Sequence, residues 1–370
     1  MKIVNIVGAR PNFMKIAPII KAMRKRPQIC PLLVHTGQHY DASMAGRFFE
    51  ELDIPRPDVS LDVGSGSHAF QTAEVMKRLE PVLEREKPDL VLVVGDVNST
   101  MAAAVTAAKL KIKVAHVEAG LRSFDRDMPE EINRIVTDAV CDFLFVTEES
   151  GQTNLLHEGV CKDKIFFVGN VMIDSLEASR KLWAQSRILD TLNLRKSDYG
   201  VVTLHRPSNV DDMRTLEGLM SALCTISERC PLVFPVHPRT IGALKSLSRV
   251  SDHVHFGKDT LVNKGIRCID PVGYLDFMAL VASSRIVLTD SGGLQEETTV
   301  LGIPCLTLRE NTERPVTVTH GTNRVIGSTP SRIEKEAAAL LDIPLRPSIP
   351  PPLWDGQAAE RVVNILVEQL

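Results

Sequence analysis

The residues best suited to chemistry stand where short apolar runs stop. Leu90 to Gly95 ends in Asp96, and Val114 to Val117 ends in Glu118-Ala119-Gly120. An acid in that place lies at the rim of a sheet, and two neighbouring strands would bring both carboxylates into one cleft, as general acid–base catalysis requires. Asp96 serves equally well as the cap of the following helix, a role worth about 1 kcal/mol. Glu118 is a poor cap, and the Ala-Gly after it leaves open space around its side chain. Pro129-Glu130-Glu131 has the composition of any helix start, because acids in the first turn offset the positive end of the macrodipole. Its nearness to Glu118, through the polar stretch Arg122 to Asp127, joins it to the same group.

A second set of residues favours anions. Gly8-Ala9-Arg10-Pro11 closes the first apolar run, with Lys15 one helical turn further on. Pro11 suits the first helical position, where a missing N–H costs nothing. Two cations beside a helix N-terminus make a phosphate site, although solvated charges on a turn would look the same. Later come Thr203-Leu204-His205-Arg206-Pro207 and Asp290-Ser291-Gly292-Gly293. Ser-Gly-Gly between a buried strand and a helix lets the backbone approach a ligand and leaves N–H groups free for an anion such as a diphosphate. Glu297, about a turn into that helix, is placed to accept hydrogen bonds from ribose hydroxyls, and Pro271-Val272-Gly273-Tyr274 to hold a flat base.

These residues must be positioned by an α/β scaffold. Short Val/Ile/Leu runs alternate with ten to twenty residues of helical pattern, the mark of parallel sheets with crossover helices. In the first half the expected strands are Ile3 to Val7, Pro31 to His35, Leu90 to Gly95, Val114 to Val117, Phe143 to Val146 and Ile165 to Val168. After Asn170 a helical connector, Val171 to Arg187, leads to a second set: Gly200 to Leu204, Leu232 to Val236, Arg267 to Ile269, Ile286 to Leu288 and Cys305 to Leu308. Two lobes are expected, 1–170 and 171–355, and 370 residues fit that number. In open sheets of this kind ligands bind beyond the carboxyl ends of the strands.

Composition narrows the partners. Apolar residues are 44% and charged residues 24%, a globular balance, and 43 basic against 46 acidic residues leave a net charge of −3 that calls for neither nucleic acid nor a membrane surface. No apolar run approaches the ~20 residues of a membrane span, and no export signal is visible. The seven cysteines form no Cys-x-x-Cys pair, so reduced thiols and a cytoplasmic location are expected. The pattern Gly-x-x-x-x-Gly-Lys-Ser/Thr is absent, and Gly64-Ser65-Gly66 lacks the third glycine of a dinucleotide fingerprint. His35/His39, His253/His255 and His157-Glu158 have no recognised metal spacing, so no metal is expected.

Taken in order, Gly8-Ala9-Arg10-Pro11 with Lys15, Gly95-Asp96, His116-Val117-Glu118-Ala119-Gly120-Leu121-Arg122, Pro129 to Arg134, Asp290 to Glu297 and Thr312-Glu313-Arg314-Pro315 carry a resemblance. The chain resembles the non-hydrolysing UDP-N-acetylglucosamine 2-epimerases over essentially its whole length. The resemblance implies two Rossmann-like lobes in the glycosyltransferase-B arrangement, an active site in the interlobe cleft, and a last helix, 356–370, that crosses back to the first lobe. It implies interconversion of UDP-GlcNAc and UDP-ManNAc through elimination of UDP and its re-addition to a 2-acetamidoglucal, with neither metal nor nicotinamide cofactor, in a homodimer that feeds cell-surface polysaccharide synthesis.

Carried over by motif, acid–base work falls on Asp96, Glu118, Glu130 and His205. Nucleotide or sugar binding falls on Arg10, Lys15, Arg206, Ser291, Gly292, Gly293, Glu297 and Arg314. Two stretches depart from the family. Leu204-His205-Arg206-Pro207-Ser208 replaces Gly-His-Arg-Arg-Glu, and Gln38-His39-Tyr40-Asp41 keeps only half of the Gln-His-x-Gln of an allosteric pocket. A related substrate, a 2,3-diacetamido uronic acid form of the nucleotide sugar, is therefore the alternative. A UDP-sugar glycosyltransferase of the same architecture is another, because fold alone does not separate the two. The acids Asp96, Glu118 and Glu130 favour the epimerase.

Overall fold

The computed structural model describes residues 1–37, 56–236, 238–247, 252–257, 264–345, 347 and 349–370, and the side chains of Arg10, Pro238 and Arg239 also lie outside that description. Gln38-His39-Tyr40-Asp41 falls outside the described residues. The chain divides into two compact units, Met1–Ala178 with Pro352–Leu370, and Ser179–Pro351. Each is an α/β layer structure around one parallel sheet of seven strands.

The first sheet comprises β1 (Lys2–Val7), β2 (Cys30–His35), β3 (Val59–Ser60), β4 (Leu90–Val94), β5 (Lys113–Ala119), β6 (Phe143–Val146) and β7 (Ile165–Phe167), in the order β3-β2-β1-β4-β5-β6-β7. Helices α1 (Arg10–Arg24), α2 (His68–Glu86), α3 (Asn98–Lys109) and α4 (Pro129–Val140) belong to the same unit. Strand β4 reads Leu-Val-Leu-Val-Val and is buried throughout, because helices cover both faces of the sheet. Its side chains divide by the two-residue period of a strand. Leu90, Leu92 and Val94 join Ile3 and Val7 of β1 in a core with Ile16, Ile19 and Met23 of α1. Val91 and Val93 join Val4 and Ile6 in an opposite core with Leu79 and Leu83 of α2 and Ala103 of α3. Only a continuous apolar run can satisfy both.

Helix Ala358–Gln369 supplies Val362, Val363 and Leu366 to the α1 side of this sheet. Asp174 holds its start by accepting hydrogen bonds from the Ala358 N–H (3.1 Å) and Ala359 N–H (2.7 Å). Burial pushes the Asp174 carboxyl up to about 6.

The second sheet comprises β8 (Gly200–Thr203), β9 (Leu232–Pro235), β10 (Val254–Phe256), β11 (Ile266–Ile269), β12 (Ile286–Thr289), β13 (Cys305–Thr307) and β14 (Asn323–Val325), in the order β10-β11-β9-β8-β12-β13-β14. Helices α5 (Met213–Ser227), α6 (Tyr274–Ala282), α7 (Gly292–Leu301) and α8 (Pro330–Asp342) accompany it. Val202, Leu288 and Leu306 of the sheet pack with Leu216, Leu219 and Leu223 of α5 and Ile333 of α8.

All eleven strands expected from sequence are present, with ends moved by a residue or two. Strands β3, β10 and β14 are additional, and each is two or three residues long at the edge of its sheet. An edge strand pairs on one side only and so needs no long apolar run. Helix α1 begins at Arg10, which puts Pro11 at the second helical position rather than the first.

Candidate active site

In each unit the first strand is the point where strand order reverses. Strand β1 lies between β2 and β4, and β8 lies between β9 and β12. Loops leave in opposite directions at such a point and open a crevice at the carboxyl edge of the sheet. The sequence motifs sit at these two edges.

In the first unit, β1 runs into Gly8 and Ala9, whose N–H groups both donate to Asn12 Oδ1 at 3.2 and 3.0 Å. Asn12 Nδ2 donates in turn to the Val94 carbonyl (2.9 Å), which ties the start of α1 to the end of β4. Gly95 follows with a φ of +69°, and a Cβ there would meet Lys15 Nζ at 2.8 Å, so the glycine gives the lysine passage. Lys15 reaches Glu118, Nζ to Oε2 2.6 Å, with both side chains almost fully buried. Glu118 occupies a break in the β5–β6 register between Val117 and Ala119, and its φ is +78°. A bulge re-aims a side chain, and a left-handed backbone is costly for a residue with a Cβ. Both features set Glu118 apart from the rest of its strand.

Asp96 is not a helix cap, since the N-cap of α3 is Val97. Its carboxylate accepts from Arg134 Nη1 at 2.5 Å, and its carbonyl accepts from Asn133 Nδ2 at 2.9 Å, so α4 fixes it from both sides. Arg134 also grips Glu131 (Nη2 to Oε2, 2.7 Å), which accepts from the N–H groups of Ser123 and Phe124. Burial would raise the Glu131 carboxyl, but those N–H groups and the guanidinium hold it below the ordinary range. Glu130, one residue earlier and partly exposed, makes no hydrogen bond or ion pair among the described residues. His116 spans Asp138 Oδ1 (2.7 Å) and the Gly95 carbonyl (2.8 Å), and Arg122 pairs with Asp138 (2.7 Å) and Glu158 (2.6 Å). Asp138 is fully buried, which alone would raise it, yet His116 and Arg122 bring it below its ordinary value.

In the second unit, Asp290 at the end of β12 is the anchor. It is 0% exposed and accepts from the backbone N–H groups of His205 and Arg206 and from Asn209 Nδ2, all within 3.2 Å. His205 Nδ1 lies 2.8 Å from Asp290 Oδ1, while the ring is 58% exposed. Arg206 Nε donates to the Asp290 carbonyl at 3.0 Å. Burial works to raise the Asp290 carboxyl, and the donors around it, His205 foremost, lower it on balance.

Ser291, Gly292 and Gly293 open α7. A Cβ on Gly292 would lie 2.7 Å from both Arg314 Nη1 and Glu313 Oε1, so the helix start packs directly on a charged ladder. In that ladder Arg309 pairs with Glu313 (2.9 Å), Glu313 with Arg314, and Arg314 Nε with Glu296 (2.6 Å), all buried. Glu297, on the next position of α7, faces Tyr274 Oη at 3.4 Å. Burial first, and then the Glu296 charge, push the Glu297 carboxyl up to about 8.

The structure thus gathers Lys15, Asp96 and Glu118 around the β4 and β5 ends, with Glu130 in the first turn of α4, and His205, Arg206, Ser291, Gly292, Gly293, Glu297 and Arg314 around the β8 and β12 ends. Arg10 heads α1, and its side chain lies outside the described residues. Two assigned cations are already engaged: Lys15 by Glu118, and Arg314 by Glu296 and Glu313. Sequence reasoning missed Asp290, Arg134, Glu131 and Asp138 as supports. The signal for Arg134 was its spacing, three residues after Glu131 on one helix face. Asp290 gave none, because its partners come from another strand. Among the described residues no group of three or more His, Cys, Asp or Glu is placed to hold a metal ion, and no helix is long and apolar enough to cross a membrane.

Two parallel α/β sheets with polar motifs at their switch points define an α/β protein with a ligand-binding crevice in each unit, and comparison narrows it. A family model for UDP-N-acetylglucosamine 2-epimerase matches residues 21–367, and the chain belongs to that family of isomerases. A UDP-N-acetylglucosamine 2-epimerase homolog of Methanococcus maripaludis is 47% identical over 335 residues, 90% of either chain. A UDP-2,3-diacetamido-2,3-dideoxy-D-glucuronate 2-epimerase of Pseudomonas aeruginosa is 40% identical over the full length of both. The crystal structure of Methanocaldococcus jannaschii UDP-GlcNAc 2-epimerase in complex with UDP-GlcNAc and UDP superposes with a TM-score of 0.89 at 42% identity, covering all of both chains.

Proposed function

We propose that the chain is a non-hydrolysing UDP-N-acetylglucosamine 2-epimerase, which interconverts UDP-GlcNAc and UDP-ManNAc in the cytoplasm as a homodimer and feeds cell-surface polysaccharide synthesis. The observation that carries this reading is Glu118, buried against Lys15 on a bulged, left-handed backbone at the carboxyl edge of a sheet.

A base takes the proton from C2, the C1–C2 double bond forms, and the C1–O bond to UDP breaks with its electron pair passing to the β-phosphate oxygen. Re-addition reverses these bonds after a proton reaches the other face of C2. The C2 proton is weakly acidic, so its removal must be coupled to departure of a stabilised UDP. The Ser291-Gly292-Gly293 N–H groups at the start of α7 are suited to the diphosphate, and Glu297 to the ribose. Glu118, Asp96, Glu130 and His205 are the proton carriers this reading assigns to the two faces, and no single carboxylate is given a single face.

The identity to the Pseudomonas relative favours a second reading, in which the sugar is a 2,3-diacetamido uronic acid. Incubation in deuterated water with UDP-GlcNAc, UDP-ManNAc and the diacetamido uronic acid nucleotide tests both. Deuterium at C2 of both epimers of one sugar identifies the substrate. Free N-acetylmannosamine with UDP would make the enzyme hydrolysing. Absence of label at C2 of every sugar overturns the epimerase.

A further inference from the structure

The loop after β8 is held to the end of β12 by a single carboxylate. Asp290 Oδ2 accepts from the N–H groups of His205 (3.0 Å) and Arg206 (3.0 Å) and from Asn209 Nδ2 (3.1 Å). Oδ1 accepts from the same His205 N–H at 3.2 Å and from His205 Nδ1 at 2.8 Å. Every described partner of this carboxylate is a donor, and an ionised carboxylate can only accept. The proton of a neutral His205 ring therefore sits on Nδ1. Nε2 makes no hydrogen bond among the described residues, and the ring is largely exposed.

We infer that Asp290 is a positioning residue for the reaction: it fixes the His205 proton on Nδ1 and turns a bare Nε2 outward, where that nitrogen can take a proton and give it back. The inference rests on the proposed role of His205 in the epimerase. It adds that the role depends on a buried acid that never meets the sugar. Most neutral histidine side chains in water carry their proton on Nε2, the wrong atom for an outward-facing base, so the ring needs a partner that dictates the tautomer.

Replacement by asparagine separates this task from simple loop anchoring. The amide of Asp290→Asn has one acceptor oxygen and one NH₂ group. Three donors, two of them backbone, converge on the Oδ2 side, so the oxygen belongs there and the NH₂ comes to face His205 Nδ1. The ring must then accept at Nδ1 and carry its proton on Nε2. The loop stays tied while the tautomer inverts.

The decisive measurement is ¹⁵N NMR of histidine-labelled protein, read without any sugar nucleotide, together with kinetics. Wild type is expected to carry the neutral His205 proton on Nδ1, and Asp290→Asn on Nε2. Turnover of the variant should fall by about 10²–10⁴-fold, the range for a lost acid–base group, with UDP affinity kept. In a His205→Asn background the Asp290→Asn change should cost nothing further, because residues that act as one unit are not additive. A wild-type proton on Nε2 overturns the inference even if the variant fails to fold. Losses that multiply in the double variant also overturn it, as does lost UDP affinity with turnover unchanged. The tautomer is read on the resting protein, whereas C2 exchange decides the epimerase reading, so the two can fail separately.

Discussion

At the β4 and β5 ends of the first unit, carboxylates face cations: Glu118 meets Lys15, and Asp96 meets Arg134. At the β8 and β12 ends of the second unit, one carboxylate is consumed by N–H donors and a histidine, and the helix beyond it begins in bare backbone above an Arg–Glu ladder. Topology puts both at the same kind of place, the crevice beside the first strand. The residue that follows the strand decides what the crevice does. Gly-Asp after β4 leaves a side-chain acid at the rim, whereas Asp-Ser-Gly-Gly after β12 turns its acid inward and presents N–H groups instead. The same scaffold thus yields one end that gathers acids suited to moving protons and another that, beside His205, is suited to holding an anion.

The largest effect should come from the first of these ends. Glu118→Gln is expected to lower turnover by about 10²–10⁴-fold while UDP binding, measured by calorimetry, is kept. Lost UDP affinity with full turnover at saturation would break the division between the units.

The converse variant belongs to the second unit. Gly292→Ala puts a methyl group 2.7 Å from Arg314 Nη1 and Glu313 Oε1, atoms that the buried ladder keeps from moving aside. That overlap, an overpacking of about 1–3 kcal/mol, is relieved by shifting the start of α7, and the displaced N–H groups should weaken UDP binding by about tenfold, a loss of about 1.4 kcal/mol. Turnover at saturation should change far less. Full UDP affinity in this variant would move the diphosphate away from α7.

The smallest effect is in pH dependence. Glu297 titrates at about 8 in the fold against 4.5 unperturbed, because burial disfavours its charge. A carboxyl raised in this way binds a proton on folding, so its contribution is complete below pH 4.5 and is lost as pH rises to about 8. Asp174 in the first unit, raised from 3.8 to about 6, acts only up to that lower limit. Urea midpoints should therefore fall between pH 6 and 8 in the wild type and flatten over that window in Glu297→Gln. An unchanged slope would show that Glu297 does not set the pH dependence in that window.

Much of this was legible in the amino-acid order. Runs such as Leu90–Val94 must be buried on both faces, so they announce central strands, and the acid or glycine after each marks a rim. The edge strands β3, β10 and β14 were not legible, because two or three residues paired on one side carry no periodicity. The placement of Asp96 and Glu118 followed from their strands, but their partners did not. Arg134 reaches Asp96 across 38 positions of sequence, and Asp290 reaches His205 across 85. Such contacts depend on strand order, which no local pattern encodes. The left-handed turn at Glu118 is likewise invisible, since nothing in Val-Glu-Ala-Gly requires it.

The return of helix Ala358–Gln369 to the first sheet has a consequence for synthesis. Val362, Val363 and Leu366 seal the α1 side of a core whose members outside this helix all precede the second unit in sequence. During translation that seam stays uncovered, and the first unit must wait, partly open and sticky, until helix Ala358–Gln369 has left the ribosome. Removal of this helix would therefore damage the unit of the molecule that emerged first.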